Sequence, residues 1–87
     1  MPGVTRKSTD IAGGRLIQGS SNVIVNGKPA VRLRDHVAGH GLSPHSGPIM
    51  IKGSGTVFVN GKPVCRAGDP ASCGHRATGS GNVFAGG

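Results

Sequence analysis

The chain has no glutamate, tryptophan or tyrosine, only two phenylalanines, and no apolar run long enough to span a membrane. With so few aromatics, a core must be built from Val, Ile and Leu, and a chain of 87 residues buries only a limited share of its surface. A metal or a partner is therefore expected to add to its stability. The lack of Glu leaves three Asp as the only acidic side chains, so enzyme activity is not expected.

Two cysteines, Cys65 and Cys73, are too few for a disulfide framework, and each needs its own explanation. No apolar run follows Met1, so the sequence predicts no signal peptide. The protein is expected to be made in the cytoplasm and, if it leaves the cell, to use a route without a cleaved signal.

Charge of one sign dominates, with ten Lys and Arg against three Asp and a formal net charge of +7. A basic domain could be attracted to nucleic acid, an anionic membrane or an acidic protein. The cations are spread along the chain, and no aromatic residues accompany them to stack on bases. A solvated or partner-facing surface is favoured, and a small basic nucleic-acid-binding zinc domain is kept as the alternative.

A segment of the sequence occurs twice and then returns in shortened form. The copies read GSSNVIVNGKP at residues 19–29, GSGTVFVNGKP at 53–63 and GSGNVFAGG at 79–87. Repetition of this kind decides the architecture, because each copy is one supersecondary unit that needs its neighbours to bury its apolar face. The sequence predicts an all-β fold with pseudo-threefold symmetry around an axis, forming a single domain over residues 1–87 with no fused effector.

Each copy reads as a β-hairpin. Val23-Ile24-Val25 and Val57-Phe58-Val59 have strand composition, and each is followed by Asn-Gly, the strongest two-residue hairpin signal. Returning strands are predicted at residues 30–34 and 64–68, and another strand at 49–51. Three aspartates occupy matching positions after the hairpins, which predicts a shared role in capping turns through side-chain to backbone hydrogen bonds: Asp10, Asp35 and Asp69.

All the histidines, and one cysteine, lie in the loops that connect the repeats: His36, His40, His45, His75 and Cys73. These loops leave the same end of each repeat and should converge. Imidazole nitrogen and thiolate sulfur are the ligands of tetrahedral zinc. One structural zinc is therefore predicted, held by His40, His45, Cys73 and a fourth ligand that is either His36 or His75. Cys65 aligns with Val31 in a returning strand and is predicted to belong to the core.

The combination of motifs resembles the PAAR-repeat proteins, a family characterised by a Pro-Ala-Ala-Arg segment after the hairpin. The matching segments are Pro29-Ala30-Val31-Arg32 and Pro63-Val64-Cys65-Arg66, together with the GSxxVxxNGKP copies and the Gly68-Asp69-x-x-x-Cys73-Gly74 element. Two departures occur. The first loop has no His before Gly13-Gly14, and Arg34 replaces the Gly expected before Asp35, which should alter that turn but not the fold.

The resemblance implies a β cone with zinc near the apex that caps the trimeric VgrG spike of a bacterial type VI secretion system. It implies one copy per trimer, a monomer when free, transient contact with a target membrane, and possible recruitment of effector proteins. Such a protein is exported on the spike by the contractile apparatus. The tip of a contractile phage tail spike is the alternative within the same family.

Overall fold

The computed structural model describes residues 2–39, 41 and 46–86. Over these residues the fold is all β with no helix, so no helix could cross a membrane. Six short strands follow in chain order: β1 (Ile11–Ala12), β2 (Gly14–Arg15), β3 (Ile24–Val25), β4 (Lys28–Pro29), β5 (Phe58–Val59) and β6 (Lys62–Pro63). They pair as three antiparallel hairpins, β1 with β2, β3 with β4 and β5 with β6.

The hairpins β3–β4 and β5–β6 confirm the Asn-Gly prediction. In the first, Asn26 and Gly27 have φ angles of 53° and 78°, and the equivalent residues of the second have almost the same values. Two successive left-handed residues make the type I′ turn, whose twist matches that of the paired strands. Val25 faces the core while Ile24 is exposed, as the alternation of a strand requires.

The third copy of the repeat pairs with the beginning of the chain. Gly3 bridges to Phe84, and the Val4 N–H donates to the Val83 carbonyl at 2.8 Å. The other units make the equivalent bonds from Ala30 to Val23 and from Val64 to Val57. The segment that begins at Pro2 therefore acts as the returning strand of the third unit.

A closed ring of backbone hydrogen bonds joins three segments that make only isolated bridges and that we call the central strands: residues 3–6, 30–32 and 64–66. Val31 donates to the Thr5 carbonyl at 3.0 Å, Thr5 donates to Cys65 at 2.9 Å, and Cys65 donates to Val31 at 2.8 Å. Each strand thus donates to one neighbour and accepts from the other. A second ring of the same kind runs from Lys7 to Pro29, from Leu33 to Pro63 and from Ala67 to Gly3. The extents of 32 × 23 × 23 Å, equal across the long axis, agree with this threefold pattern.

The buried apolar side chains form two clusters that share the central strands. The first lies toward the connecting loops and contains Ala12, Leu16, Val31, Val37, Met50, Cys65, Ala71 and Ala77. The second lies toward the hairpin turns and contains Val4, Val25, Ala30, Val59, Val64 and Ala85. Apart from Leu16 and Met50, both clusters consist of Val, Ala and Cys side chains.

Some predicted strands differ from the structure. The returning strands pair as Lys28–Pro29 and Lys62–Pro63, and residues 30–34 and 64–68 make only isolated bridges, because their bonds go to neighbouring units instead of one partner strand. Residues 49–51 likewise make single bridges rather than a strand. The segment predicted as a connection after Asp10 contains the hairpin β1–β2, turning at Gly13 with φ 83°.

The prediction that Arg34 alters its turn is wrong. Arg34 has φ 74° and Gly68 has φ 92° at the equivalent position, and the aspartate that follows each makes the same backbone bond. The arginine therefore adopts the left-handed conformation of a glycine, which costs a non-glycine residue about 1 kcal/mol.

Replacing Arg34 by glycine is expected to stabilise the protein by about 0.5–1 kcal/mol, because the strain of the left-handed conformation is relieved. For a domain of this size the melting temperature should rise by about 4 °C. Circular dichroism would measure it. Lys52→Gly, at an exposed site without positive φ, is the control and should lower the melting temperature. A fall for Arg34→Gly would contradict the argument.

Candidate functional site

Each unit contains a paired arginine and aspartate at the turn after its central strand. Arg66 Nε lies 3.1 Å from Asp69 Oδ2, and the backbone N–H of Arg66 donates to the same oxygen at 2.9 Å. The pairs Arg6–Asp10 and Arg32–Asp35 have the same bonds, with Nε–Oδ2 distances of 2.8 and 3.0 Å. The backbone bonds confirm the predicted capping role of the aspartates.

The arginine partners were missed by the sequence reasoning. The signal was present as Arg32-x-x-Asp35 and Arg66-x-x-Asp69, a spacing that brings a guanidinium and a carboxylate together across a turn. The first unit does not show the same spacing, because Thr9 adds one residue between Arg6 and Asp10. Bidentate geometry makes these pairs stronger than single-contact ion pairs.

Asp10 is the most heavily bonded carboxylate. Burial alone would raise its pKa, but hydrogen bonds from the Arg6 side chain, the Thr78 hydroxyl and the Arg6 backbone lower the pKa below its ordinary value. The Thr78 hydroxyl donates at 2.8 Å, so this carboxylate also links the turn after the first strand to the last repeat. The hydrogen bond between the Arg6 side chain and Asp10 in turn raises the pKa of Arg6.

A second polar network ties each hairpin turn to the neighbouring unit. Ser20 accepts the backbone N–H of Val23 at 2.9 Å and donates to Asn60 Oδ1 at 2.6 Å. Arg32 Nη1 donates to the same Asn60 oxygen at 3.2 Å. Ser80 and Arg6 hold Asn26 in the same way, and Ser54 and Arg66 hold the Gly86 carbonyl. Serine and asparagine in the repeat therefore fix the units against one another.

The ion pairs determine the charge of the surface. The only acidic side chains of the chain are Asp10, Asp35 and Asp69, and all three are buried against arginines. No acidic side chain is exposed, whereas most of the remaining cations are: Arg15, Lys28, Arg34, Lys52, Lys62 and Arg76. The formal charge of +7 is thus displayed on the outside.

Large apolar side chains are exposed at equivalent positions of the three repeat copies. Ile24, Phe58 and Phe84 are 55, 57 and 49 % exposed. Each stands on the outward side of its strand, next to a buried residue of the second cluster. We call these three residues, together with Lys28 and Lys62, the hairpin rim. Exposed apolar residues that recur in each unit are typical of a protein interface.

The predicted metal ligands are in part described by the structure. Cys73 and His75 come together, with 3.6 Å between Cys73 Sγ and His75 Nδ1. Cys73 Sγ also lies 3.9 Å from the Ala12 carbonyl, which places the third connection beside the β1–β2 turn. His36 is exposed, and its backbone N–H bonds to Gln18. His40 and His45 lie outside the described residues, and within those residues no group of three metal-binding side chains occurs.

The Cys73–His75 pair suits zinc. A thiolate sulfur at about 2.3 Å and an imidazole nitrogen at about 2.1 Å from a tetrahedral ion lie about 3.6 Å apart. Cys65 does not suit it, because the side chain is fully buried in the first cluster and burial raises the pKa of its thiol to about 12. The prediction that Cys65 belongs to the core is confirmed.

Comparison with models of known protein families finds a match to one family. A family model described as the PAAR motif matches residues 6–77 and, in a second alignment, residues 39–87, so the two matches together reach from the first central strand to the end of the chain. No similar curated protein was found.

Proposed function

Because the chain belongs to the PAAR-motif family, we propose that it is the tip of a contractile injection spike, capping the trimeric VgrG protein of a type VI secretion system. Membership of this family indicates a spike-tip protein associated with VgrG. The more specific assignment to a secretion system rather than to a phage tail is part of the proposal. The protein would be a structural component, with no catalytic role, and it would leave the cell on the spike.

The observation that carries the proposal is the closed ring among Thr5, Val31 and Cys65. A single chain that presents three equivalent faces can sit on the end of a homotrimer without a mismatch of symmetry. The long axis of 32 Å and equal short axes of 23 Å suit a body aligned with a spike, which we propose narrows toward the loops as a cone. This geometry supports the proposal of one copy per trimer.

The hairpin rim is the proposed contact with the trimer. Its three large apolar side chains repeat at equivalent positions, so each can meet the same residues of a different VgrG protomer. At the opposite end, the connecting loops would form the apex that meets the target membrane. Effector proteins would be recruited by non-covalent contacts.

Binding to the spike is the test. The untagged protein is mixed with the trimeric VgrG encoded in the same genome, and native mass spectrometry measures the stoichiometry. One copy per trimer is expected. Phe58→Ser should weaken binding at least tenfold, whereas Ile51→Ser, which is 53 % exposed but off the rim, should leave it unchanged. No complex between the wild-type proteins would contradict the proposed function.

We further propose that one structural zinc is held by His40, His45, Cys73 and His75. The described pair at 3.6 Å favours His75 over His36 as the fourth ligand. A zinc ion that closes the loops would supply binding energy of order 10 kcal/mol to a fold whose core contains no aromatic side chain.

Metal content distinguishes the ligands. Cys73→Ala and His75→Ala should each lose zinc, because a tetrahedral site with three ligands binds much more weakly. Cys65→Ala and His36→Ala are the matched controls and should keep it. Zinc per chain would be measured by native mass spectrometry, with melting curves before and after chelation. If EDTA leaves the wild-type melting temperature unchanged, zinc does not stabilise the fold.

The exposed cations favour one alternative of a different class, a nucleic-acid-binding domain. It predicts an affinity for duplex DNA or RNA that falls steeply with salt concentration, because bound cations release counterions. Fluorescence anisotropy at 50 and 200 mM NaCl would detect it, and no binding at the lower salt would exclude it.

A further inference from the structure

The segments around the first buried cluster pair with one another in a closed circle. The pairings run in order around the axis: Ile11 with Arg15, Leu16 with Val37, His36 with Ile49, Met50 with Ala71, and Pro70 with Arg76. The Thr78 N–H then donates to the Ile11 carbonyl at 2.9 Å and closes the circle, which we call the loop belt. Its inward side chains are apolar and buried in all three units: Ala12, Leu16, Val37, Met50, Ala71 and Ala77.

The outward side chains of the loop belt do not share this threefold regularity. Ile17, Ile51 and Thr78 occupy equivalent positions, because each follows a buried belt residue and donates its N–H to the neighbouring segment. Two of them are isoleucines that are 51 and 53 % exposed, whereas the third is polar. Ile49 likewise corresponds to an arginine in each of the other units. Isoleucines therefore follow one another on one side of the belt, while the rest of its outer surface carries polar and charged residues among them.

The three isoleucines form one continuous surface. Ile17 donates to the His36 carbonyl at 3.1 Å, and His36 bridges to Ile49, so these side chains are neighbours across the sheet. Ile49 and Ile51 lie on either side of the buried Met50 and therefore share the outward face. We call Ile17, Ile49 and Ile51 the isoleucine flank. A contiguous exposed apolar surface of this kind indicates an interaction site.

Arg34 lies directly beside the isoleucine flank. Its N–H donates to the Met50 carbonyl at 2.8 Å, and the residue is exposed. It keeps the left-handed conformation although Gly68 shows that glycine suits the equivalent turn. Strain that is retained in this way is typical of residues whose side chain serves a contact.

No carboxylate side chain of the chain is left to pair with Arg34. The chain has three acidic residues, and each is bonded by the arginine of its own turn. Lys52, which follows Ile51, is exposed as well. The isoleucine flank is thus bordered by positive charge that only another molecule can neutralise.

We propose that the isoleucine flank binds one copy of a polypeptide segment that combines apolar side chains with carboxylates. The apolar side chains cover the isoleucines, and a carboxylate pairs with Arg34. This inference rests on the proposed function for its setting, the recruitment of other proteins, and it names the surface and the chemistry of the segment recruited. Because the flank occurs once in the chain, one such segment binds on the side of the cap.

Other occupants fit the flank less well. A homotrimer presents three equal faces, whereas the flank lies on one side of the belt. A second copy of this chain has no unpaired acidic side chain to offer Arg34. Nucleic acid would leave the isoleucines uncovered. A membrane surface is usually anchored by Trp and Tyr, and the chain has neither.

A titration followed by NMR tests the inference. The probe is the blocked peptide acetyl-Leu-Leu-Glu-Leu-Glu-Leu-amide, added to the isotope-labelled protein at 50 mM NaCl. We expect binding with a Kd of about 1 mM or tighter, and amide shifts that cluster at the isoleucine flank and Arg34. Matched peptides with lysine for glutamate, or with serine for leucine, should bind at least about tenfold more weakly. Equal binding of either matched peptide, or shifts centred elsewhere, would overturn the inference.

Two double variants locate the binding surface. Ile17→Ser/Ile51→Ser should weaken binding of the probe at least about tenfold. Ile11→Ser/Ile24→Ser removes two isoleucines that are 48 and 55 % exposed but lie outside the flank, and it should leave the affinity unchanged. The amide spectrum of each variant would show that it is folded. Equal losses in both would mean that general hydrophobicity explains the binding.

Arg34→Gly separates recognition from stability. It relieves the left-handed strain, so the melting temperature should rise while the affinity for the probe falls by about threefold. Lys62→Ser removes the same charge at an exposed residue far from the flank and should leave the affinity unchanged. An unchanged affinity in Arg34→Gly would show that no carboxylate pairs with this arginine.

The remaining outcomes distinguish the proposals. Vesicles of phosphatidylcholine with phosphatidylserine are tested by sedimentation, and if they bind through the flank while the probe does not, the occupant is a lipid surface and the inference is wrong. If VgrG binds one cap and the probe does not bind, the inference fails alone. If the probe binds at the flank and VgrG does not bind, the proposed function fails alone.

Discussion

Gly79→Ala is expected to prevent folding at 25 °C. A methyl group at Gly79 would clash with the Gly3 carbonyl group, because the methyl carbon would lie 2.7 Å from the carbonyl carbon. It would also lie 3.1 Å from the Ala67 backbone nitrogen. These atoms form a hydrogen bond of 2.7 Å in the second backbone ring, so they cannot move apart without opening it. The backbone would have to shift, which lowers the free energy of unfolding by more than about 5 kcal/mol, an amount comparable with the whole stability of a small domain.

Gly81→Ala is the control for this variant. It lies two residues further along, no atom would come within 4 Å of its methyl group, and its φ angle is not in the left-handed region. It should leave the melting temperature unchanged or raise it slightly, because alanine has less freedom than glycine in the unfolded chain. Amide spectra by NMR and thermal melts would measure both. A melting temperature for Gly79→Ala within about 5 °C of that for Gly81→Ala would refute the clash.

The second large effect is expected from Asp10→Asn. The carboxylate accepts bonds from Arg6 and Thr78, and neutralising it leaves the Arg6 guanidinium without its counter-charge at a partly buried site. Removing one member of a buried pair costs about 3 kcal/mol. Denaturant unfolding at pH 7 would measure it. Thr9→Lys raises the net charge equally at the adjacent exposed residue and should cost less than about 0.5 kcal/mol.

The effect of Asp10→Asn should depend on pH. The folded protein lowers the pKa of Asp10, so the stability it contributes is complete above its unfolded value of about 3.9. That contribution is lost as the pH falls through the lower pKa of the folded state. The wild type and Asp10→Asn should therefore differ most near neutral pH and converge below about pH 3. A difference that persisted at pH 2 would mean that packing, not charge, explains the loss.

Local features of the fold were predictable from the sequence. The Asn26-Gly27 and Asn60-Gly61 turns were predictable, because a two-residue hairpin turn needs two successive residues with positive φ and Asn-Gly adopts that conformation readily. The burial of Cys65 followed from its alignment with Val31, and the capping role of the aspartates followed from their repeated position. Each of these inferences needs only a few residues of sequence or a comparison between copies.

The contacts that join distant segments were not predictable. Nothing near Pro2 shows that it pairs with Ala85, because that pairing exists only once the ring has closed. The arginine partners of the aspartates were masked by one extra residue in the first unit. For the proposed metal site, the sequence left His36 and His75 equal as candidates. The turn after Cys73 brings His75 Nδ1 to 3.6 Å from Cys73 Sγ, a contact that the sequence did not reveal.

The pairing of Pro2 with Ala85 gives the fold a cyclic order. Around the axis each unit follows the next without a first or a last, and Ala85 donates to Pro2 at the place where the other units have a turn. The Asn26-Gly27 and Asn60-Gly61 turns occupy the equivalent places in the other two units. It follows that no unit is complete alone, and the whole circle must form or dissolve together.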